Sequence, residues 1–539
     1  MPLSPTGTPT ATNKRTATSD SAVERDASPT LATAPGTGAT DTTIKPRTSV
    51  FGFFFVWALL TRAILPTLVS HARTGVLRPN RSRGLDLFLR FFRAASQLPG
   101  MDVHRSRAVL ALIANLDAPL REKLRAGCTF DPVVVAVDPR IIADLPAGAV
   151  VADTVAAEWV GFEDQEKAVK EENRDKVVLY MHGGAYVFSS AESYRHMVAP
   201  VARAFGRRIF NLDYTLSPEA VYPTAVRQAA AAVLYLTSPT EVGGAGYAPS
   251  SVLLMGDSAG GNLCMATLLY LRDQLQVGTD RMPSGAVLLS PWSDLRHNLP
   301  SYEQNKELDY INPFDKSDLN PVALLCGTSD YLGMVETDEV LSPVLDKGIE
   351  GDVSRRLPPI YISTGMDEIL VDENILLAAN LSRRSGSGSL VVHDLTEHQV
   401  HVFPFLAPRS HDARAFWARA SAFVEECDTR AALSVPRVDA WGKTVEARIW
   451  RDGAPVSQGP SATWATRWPA IAAAKSKLVG AWPVERFGIG MSDEADKDIV
   501  GSAIGAAHDV RVDIGADRDS AELDDGAAAA EGVVRGAKL

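Results

Sequence analysis

The segment "SVLLMGDSAGGNL" (251–263) sets Ser258 between Gly256 and Gly260. An apolar run precedes the serine and a helix-like pattern follows it. A G-x-S-x-G stretch at a strand-to-helix junction lifts a hydroxyl out of a strained turn, with glycines where the chain passes close to itself. A serine there gains nothing for packing, so Ser258 is a candidate nucleophile. Such a nucleophile needs a base, an orienting acid and donors for an oxyanion. "HGGA" (His182–Ala185) follows an apolar strand. The N–H groups of Gly183 and Gly184, with that of Ala259, are candidate donors, and the His182 side chain reads as a brace for its loop. "ISTGMDEILVDEN" (362–374) supplies Asp367, Glu368 and Asp372. Asp367 directly follows the strand and its glycine, where a carboxylate reaches across the sheet end; Asp372 reads as a solvated helix charge. "EHQVHVF" (397–403) offers His398 and His401 as the base.

These residues need a scaffold that brings distant segments to one edge. Apolar runs at 176–184, 207–214, 251–256, 286–292, 358–368 and 389–395 predict strands. Helical patterns at 224–237, after Ser258 and at 411–427 alternate with them. That alternation predicts an α/β fold, a mainly parallel sheet covered by helices on both faces.

The 539 residues carry a formal net charge of −11. From Met491 to Leu539 there are 12 acidic and 5 basic residues, a net of −7, so only −4 remains for the preceding chain. The acidity is a tail property, and it argues against nucleic acid as a partner. Cys128, Cys264, Cys326 and Cys427 form neither a disulfide framework nor a metal spacing. The chain divides into a Thr/Ala/Ser/Pro-rich tail read as disordered (1–48), a hydrophobic segment (49–70), a catalytic α/β domain (84–427), a tryptophan-bearing extension (428–490) and an acidic tail read as disordered (491–539).

Taken in order, the motifs resemble the hormone-sensitive-lipase-like family of α/β-hydrolase esterases and deacetylases. "HGGAY" is similar to its HGGG loop, "DYTLSPEAVYPTAVRQA" (213–229) to its D-Y-R-L-A-P-E segment, and "GDSAGGNL" to its nucleophile elbow. "LSPWSDL" and "LPPIYISTGMDEILVDE" resemble its later strands and acid loop, and "HVF" stands where the family has H-G-F. The resemblance covers roughly 130–425. It implies an α/β-hydrolase fold with a helical lid from the N-terminus or an insertion. It also implies a triad of Ser258, Asp367 and His401, an oxyanion hole of Gly183, Gly184 and Ala259, and hydrolysis of small hydrophobic carboxylic esters without metal or organic cofactor. Residues 84–160 carry no readable code for the acyl group or the alcohol. His401 is preferred to His398 because it alone precedes x-Phe. Two departures stand out: Ala185 for the third loop glycine and Val402 for the glycine after the histidine. The alternatives are an amidase or formamidase on the same fold, or a non-catalytic binder like the gibberellin receptors, which lack the histidine retained here.

"VFGFFFVWALLTRAILPTLV" (50–69) is long enough as a helix to span a bilayer, but Arg62 lies near its middle. It reads as a membrane anchor, single-pass or monotopic at the endoplasmic reticulum, or else as a lid helix. The terminal Ala537-Lys538-Leu539 resembles a peroxisomal address.

Overall fold

The computed structural model describes residues 57–138, 154–384 and 390–432 with short interruptions, and an edge hairpin at 445–458. The tails at 1–48 and 491–539 lie outside the described residues, as does the terminal tripeptide.

Ten strands form one sheet: β1 (Cys128–Ala136), β2 (Thr154–Phe162), β3 (Val177–Met181), β4 (Arg208–Asp213), β5 (Val252–Asp257), β6 (Gly285–Leu289), β7 (Ile360–Gly365), β8 (Val391–Thr396), β9 (Val445–Arg451) and β10 (Ala454–Gln458). Their order is β1-β2-β4-β3-β5-β6-β7-β8-β9-β10. From β4 through β9 neighbours run parallel, while β1, β2 and β10 pair antiparallel at the edges. This is the α/β-hydrolase fold.

The central strands lack polar alternation because both faces are covered. Every residue of β3, β5, β6, β7 and β8 is buried. The period of two still sorts the side chains. Val177, Leu179 and Met181 join one core with helices Thr224–Thr237, Ala259–Asp273 and Val371–Arg384. Val178 and Tyr180 join the other, with helices Ala191–Phe205 and His411–Ala432. The six strands and two bounded helices expected from the sequence lie where their patterns put them, to within a few residues.

The edge strands were not legible. β1 carries Pro132 and is half exposed, as an edge strand tolerates, and β9 and β10 fall where the sequence pattern decays. Helices Arg83–Ser96, Val103–Leu116 and Ala118–Arg125 precede β1.

The sheet's C-terminal edge depends on one contact between strand and helix. The chain crosses from β5 into helix Ala259–Asp273 so closely that a Cβ on Gly260 would collide with the carbonyl oxygens of Met181 and His182. Gly84, on an open helix, meets nothing. Gly260→Ala is therefore expected to destabilise the protein by about 3 kcal/mol, an overpacking cost. Gly84→Ala should be neutral or stabilising. Urea denaturation of the two variants checks both.

Candidate active site

Ser258 directly follows β5 and stands at the N-cap of the next helix with φ 53° and ψ −121°, a conformation that a residue with a side chain rarely adopts. The surrounding bonds hold it there. Its N–H donates to the Leu289 carbonyl of β6 at 2.9 Å, and its carbonyl accepts from Asn262 and Trp292, each at 3.0 Å. Serine at a helix N-cap ordinarily caps the first turn. Here the side chain makes no capping bond, so the hydroxyl is left for other chemistry.

Asp257 latches the "HGGA" loop to this elbow. It accepts from Tyr180 Oη at 2.7 Å, from Tyr194 Oη at 2.9 Å and from the Gly183 N–H at 3.1 Å. Burial raises its pKa while those donors oppose the rise. The Gly183 N–H is thus committed to a carboxylate, and this corrects its expected place in the oxyanion hole. Among the described residues the N–H groups of Gly184 and Ala259 donate to no acceptor. Gly184 has φ 115°, and a Cβ there would strike the Phe188 carbonyl. Ala259 opens the helix, where first-turn donors are unpaired and the helix dipole favours an anion.

The His182 side chain braces the loop. Its Nδ1 lies 2.8 Å from the Gly183 carbonyl oxygen, its ring stacks on Tyr214 at 4.3 Å, and Tyr214 Oη donates to its own carbonyl at 2.7 Å. Burial lowers it to about 4, so it is neutral.

The turn after β7 decides the acid. Met366 N–H donates to the Thr396 carbonyl and Asp367 N–H to that of Gln399, each at 2.9 Å. These bonds bind the acid turn to the histidine loop. Adjacent side chains then leave in different directions. Glu368, fully buried, approaches His401, whose Nδ1 lies 3.1 Å from Oε2. Asp367 turns away to Arg78 and Arg81. The expected Asp367–His401 pairing is therefore corrected to Glu368–His401. His401, not His398, meets the acid; the His398 carbonyl accepts from Arg81.

Asp372 is also corrected. It is buried rather than solvated and accepts from the Ser301 N–H at 2.8 Å. Glu373 beside it accepts from the N–H groups of Ser293 and Asp294 at 2.7 and 3.2 Å. Both brace the start of the helix that follows the acid turn. One signal for Glu368 was present in the sequence: it stands directly against the apolar Ile369-Leu370-Val371, as a carboxylate drawn into a core does.

Burial pushes the Glu368 carboxyl up to about 8, against hydrogen bonding from Ser290 and Gly365. It pushes the His401 imidazole down, opposed by Asp309 and Asp257. Among the described residues no cluster of side chains could hold a metal ion.

The chain matches a family model described as "alpha/beta hydrolase fold" over residues 178–405. It is 31% identical over 279 residues to an acetyl-hydrolase of Streptomyces hygroscopicus, covering 52% of this chain and 82% of that protein. To the hormone-sensitive lipase of Mus musculus it is 28% identical over 180 residues, 33% of this chain and 22% of that one. A crystal structure of an esterase from the bacterial hormone-sensitive lipase family aligns with a TM-score of 0.48 at 24% identity, covering 65% of this chain and 99% of the other.

Base function at His401 requires the Glu368–His401 pair to give up one shared proton, a property of the pair rather than of either residue. Losing it leaves a buried negative charge, so the proton is held above the ordinary imidazole value of about 6.5. The acid limb of kcat/KM should accordingly lie above that value, with activity falling as pH drops through it. In Glu368→Gln the imidazole loses its carboxylate partner and is still lowered by burial, with Asp309 and Asp257 opposing. The limb should move below about 6.5, and the plateau should fall by roughly 10⁴-fold, as for other triads stripped of their carboxylate. A pH–rate profile of the two proteins checks this; an unmoved limb contradicts the pairing.

Proposed function

The chain belongs to the hormone-sensitive-lipase-like family of α/β-hydrolases and is a carboxylic ester hydrolase, and we propose that it cleaves short-acyl, above all acetyl, esters of hydrophobic alcohols through Ser258, His401 and Glu368. The observation that carries the triad is the 3.1 Å contact of His401 Nδ1 with the buried Glu368 carboxylate, at the same sheet edge as the uncapped Ser258. The acetyl preference is supported by the name and 31% identity of the acetyl-hydrolase relative.

In the proposed reaction, Ser258 Oγ attacks the ester carbonyl carbon while His401 Nε2 takes the hydroxyl proton. Glu368 accepts a hydrogen bond from Nδ1–H, which fixes the tautomer and stabilises the imidazolium. The carbonyl oxygen becomes an oxyanion held by the N–H groups of Gly184 and Ala259, each donor worth about 3 kcal/mol in comparable sites. Collapse breaks the ester C–O bond, and the departing alcohol oxygen takes the proton from His401. Water then attacks the acyl-enzyme, giving its proton to His401, and Ser258 leaves with that proton as the free hydroxyl.

A second reading concerns the N-terminal helix. Trp57, Leu60, Leu65, Leu68 and Val69 are exposed, and Arg62 and Arg73 stand among them. An exposed apolar face with interspersed cations suits a lipid surface on which the helix lies in plane. Among the described residues no helix is long and apolar enough to cross a membrane.

Ser258→Ala should abolish turnover of p-nitrophenyl acetate by several orders of magnitude with an unchanged denaturation midpoint, and should abolish labelling by an organophosphate. Turnover should fall from acetate through butyrate to laurate esters, and the matching anilide should be a poor substrate. A preference for laurate would overturn the acetyl assignment; faster anilide cleavage would make the enzyme an amidase. For the second reading, the protein should co-sediment with anionic phospholipid vesicles and be released by alkaline carbonate. Leu65→Glu/Leu68→Glu should remain in the supernatant with esterase activity retained; equal sedimentation of that variant would contradict the lipid contact.

A further inference from the structure

We propose that Arg81, assisted by Arg78, is a positioning residue for catalysis: it fastens the N-terminal helical cap to the acid and histidine turns and thereby holds Glu368 and His401 in register. The inference rests on the Glu368–His401 reading above. Arg81 has only 1% of its side chain exposed, yet it sits next to the chain's most N-terminal described helices. Its guanidinium serves three separate segments. Nη2 donates to Asp367 Oδ2 at 2.8 Å, Nη1 to the Leu308 carbonyl at 2.9 Å and Nε to the His398 carbonyl at 3.3 Å. Those acceptors are the neighbour of Glu368, the loop carrying Tyr310 and the start of the histidine loop. Arg78 completes the carboxylate with Nε to Oδ2 at 2.8 Å and Nη2 to Oδ1 at 2.9 Å.

A planar fork of five donors can serve several acceptors at fixed angles, which an ammonium cannot. Burial would make such a cation costly were it not paired. Asp367 supplies the direct partner, and the charges of Asp309 and Asp86 add to it.

The segment opposite the arginines is itself tied to the site. Asn305 donates to the Met366 and Glu368 carbonyls at 3.0 and 2.8 Å. Asp309 accepts from the Ile369 N–H at 3.0 Å, and the Tyr310 ring lies 6.0 Å from the His401 ring. The groups around His401 are then Glu368, Asp309, Asp257 and Tyr310.

Behind Arg81 the cap is a unit. Helix Arg83–Ser96 is capped by Ser82 Oγ and reaches back to helix Leu65–Thr74 through Asp86 with His71 at 3.0 Å and Arg90 with Ser70 at 2.7 Å. Arg93 donates to the Lys306 and Asp309 carbonyls, each at 3.3 Å, and Phe92 packs edge-on against Tyr310 at 5.4 Å. The cap therefore cannot lift without releasing the turn that carries Glu368.

The test measures kcat, KM and the acid limb of kcat/KM on the full-length protein. Arg81→Met and Asp367→Asn should each lower kcat by roughly 10²-fold, the scale of a displaced catalytic group, with little change in KM. Both should move the acid limb down toward the ordinary imidazole value, because a loosened pair admits water. The double variant should be no worse than the poorer single, since both remove one interaction. Arg81→Lys should not restore kcat, whereas millimolar methylguanidinium added to Arg81→Ala should. If Arg81→Met does not fold, Asp367→Asn and Arg78→Met, whose side chain is 30% exposed, carry the same test. Wild-type kcat and an unmoved limb in these variants, while Glu368→Gln is crippled, would overturn the clamp alone. Wild-type activity in Glu368→Gln would overturn the pairing on which it rests.

Discussion

The site depends on a backbone latch between two loops. The acid turn and the histidine loop share hydrogen bonds from Met366 to Thr396 and from Asp367 to Gln399. Gly365 is essential to that approach, since a Cβ there would strike the Gln399 carbonyl. With both backbones fixed, consecutive carboxylates cannot face the same partner. Glu368 is delivered to His401, and Asp367 is delivered to Arg78 and Arg81. The adjacent Asp-Glu pair thus divides, by orientation alone, into a carboxylate on the histidine and a carboxylate on the two arginines.

The surrounding backbone stores strain. Ala185, Tyr186, Ser189, Ser258, Ser290, His398 and Val402 all have positive φ, and all belong to the elbow, the "HGGA" loop, the end of β6 or the histidine loop. Side-chain-bearing residues hold such conformations only where neighbours over-determine them, at about 1–3 kcal/mol each. Val402 is the clearest case, a β-branched residue at φ 47° whose N–H donates to Ser290 Oγ at 3.0 Å. Packing of the two cores supports this edge. Asp257 and its two tyrosines, buried under the loop, tie the core that holds Tyr180 and Tyr194 to the "HGGA" loop through the Gly183 N–H.

What the sequence made legible follows from range. Periodicity and the G-x-S-x-G spacing are local, so the central strands, the elbow and the histidine loop could be read directly. The choice between Asp367 and Glu368 turns on which side chain the turn aims inward, and on a partner nearly three hundred residues away. No spacing rule near residue 367 points to Arg78 or Arg81. Gly183 misled for a related reason: its amide is taken by the aspartate of the elbow itself, a contact visible only once β3 and β5 lie side by side. Asp372 reads as solvated because helix charges usually are, whereas its carboxylate is buried on the distant Ser301 N–H. β1 stayed hidden because its partial exposure and Pro132 erase the apolar signal.

The most direct measurement is a crystal structure of the enzyme phosphonylated by an organophosphate. The account predicts phosphorus on Ser258 Oγ, a phosphoryl oxygen within hydrogen-bond reach of the Gly184 and Ala259 N–H groups, and His401 Nδ1 still on Glu368 with Asp367 held by Arg78 and Arg81. An adduct in which Asp367 has swung to His401, or in which Gly183 has left Asp257 for the phosphoryl oxygen, would contradict it.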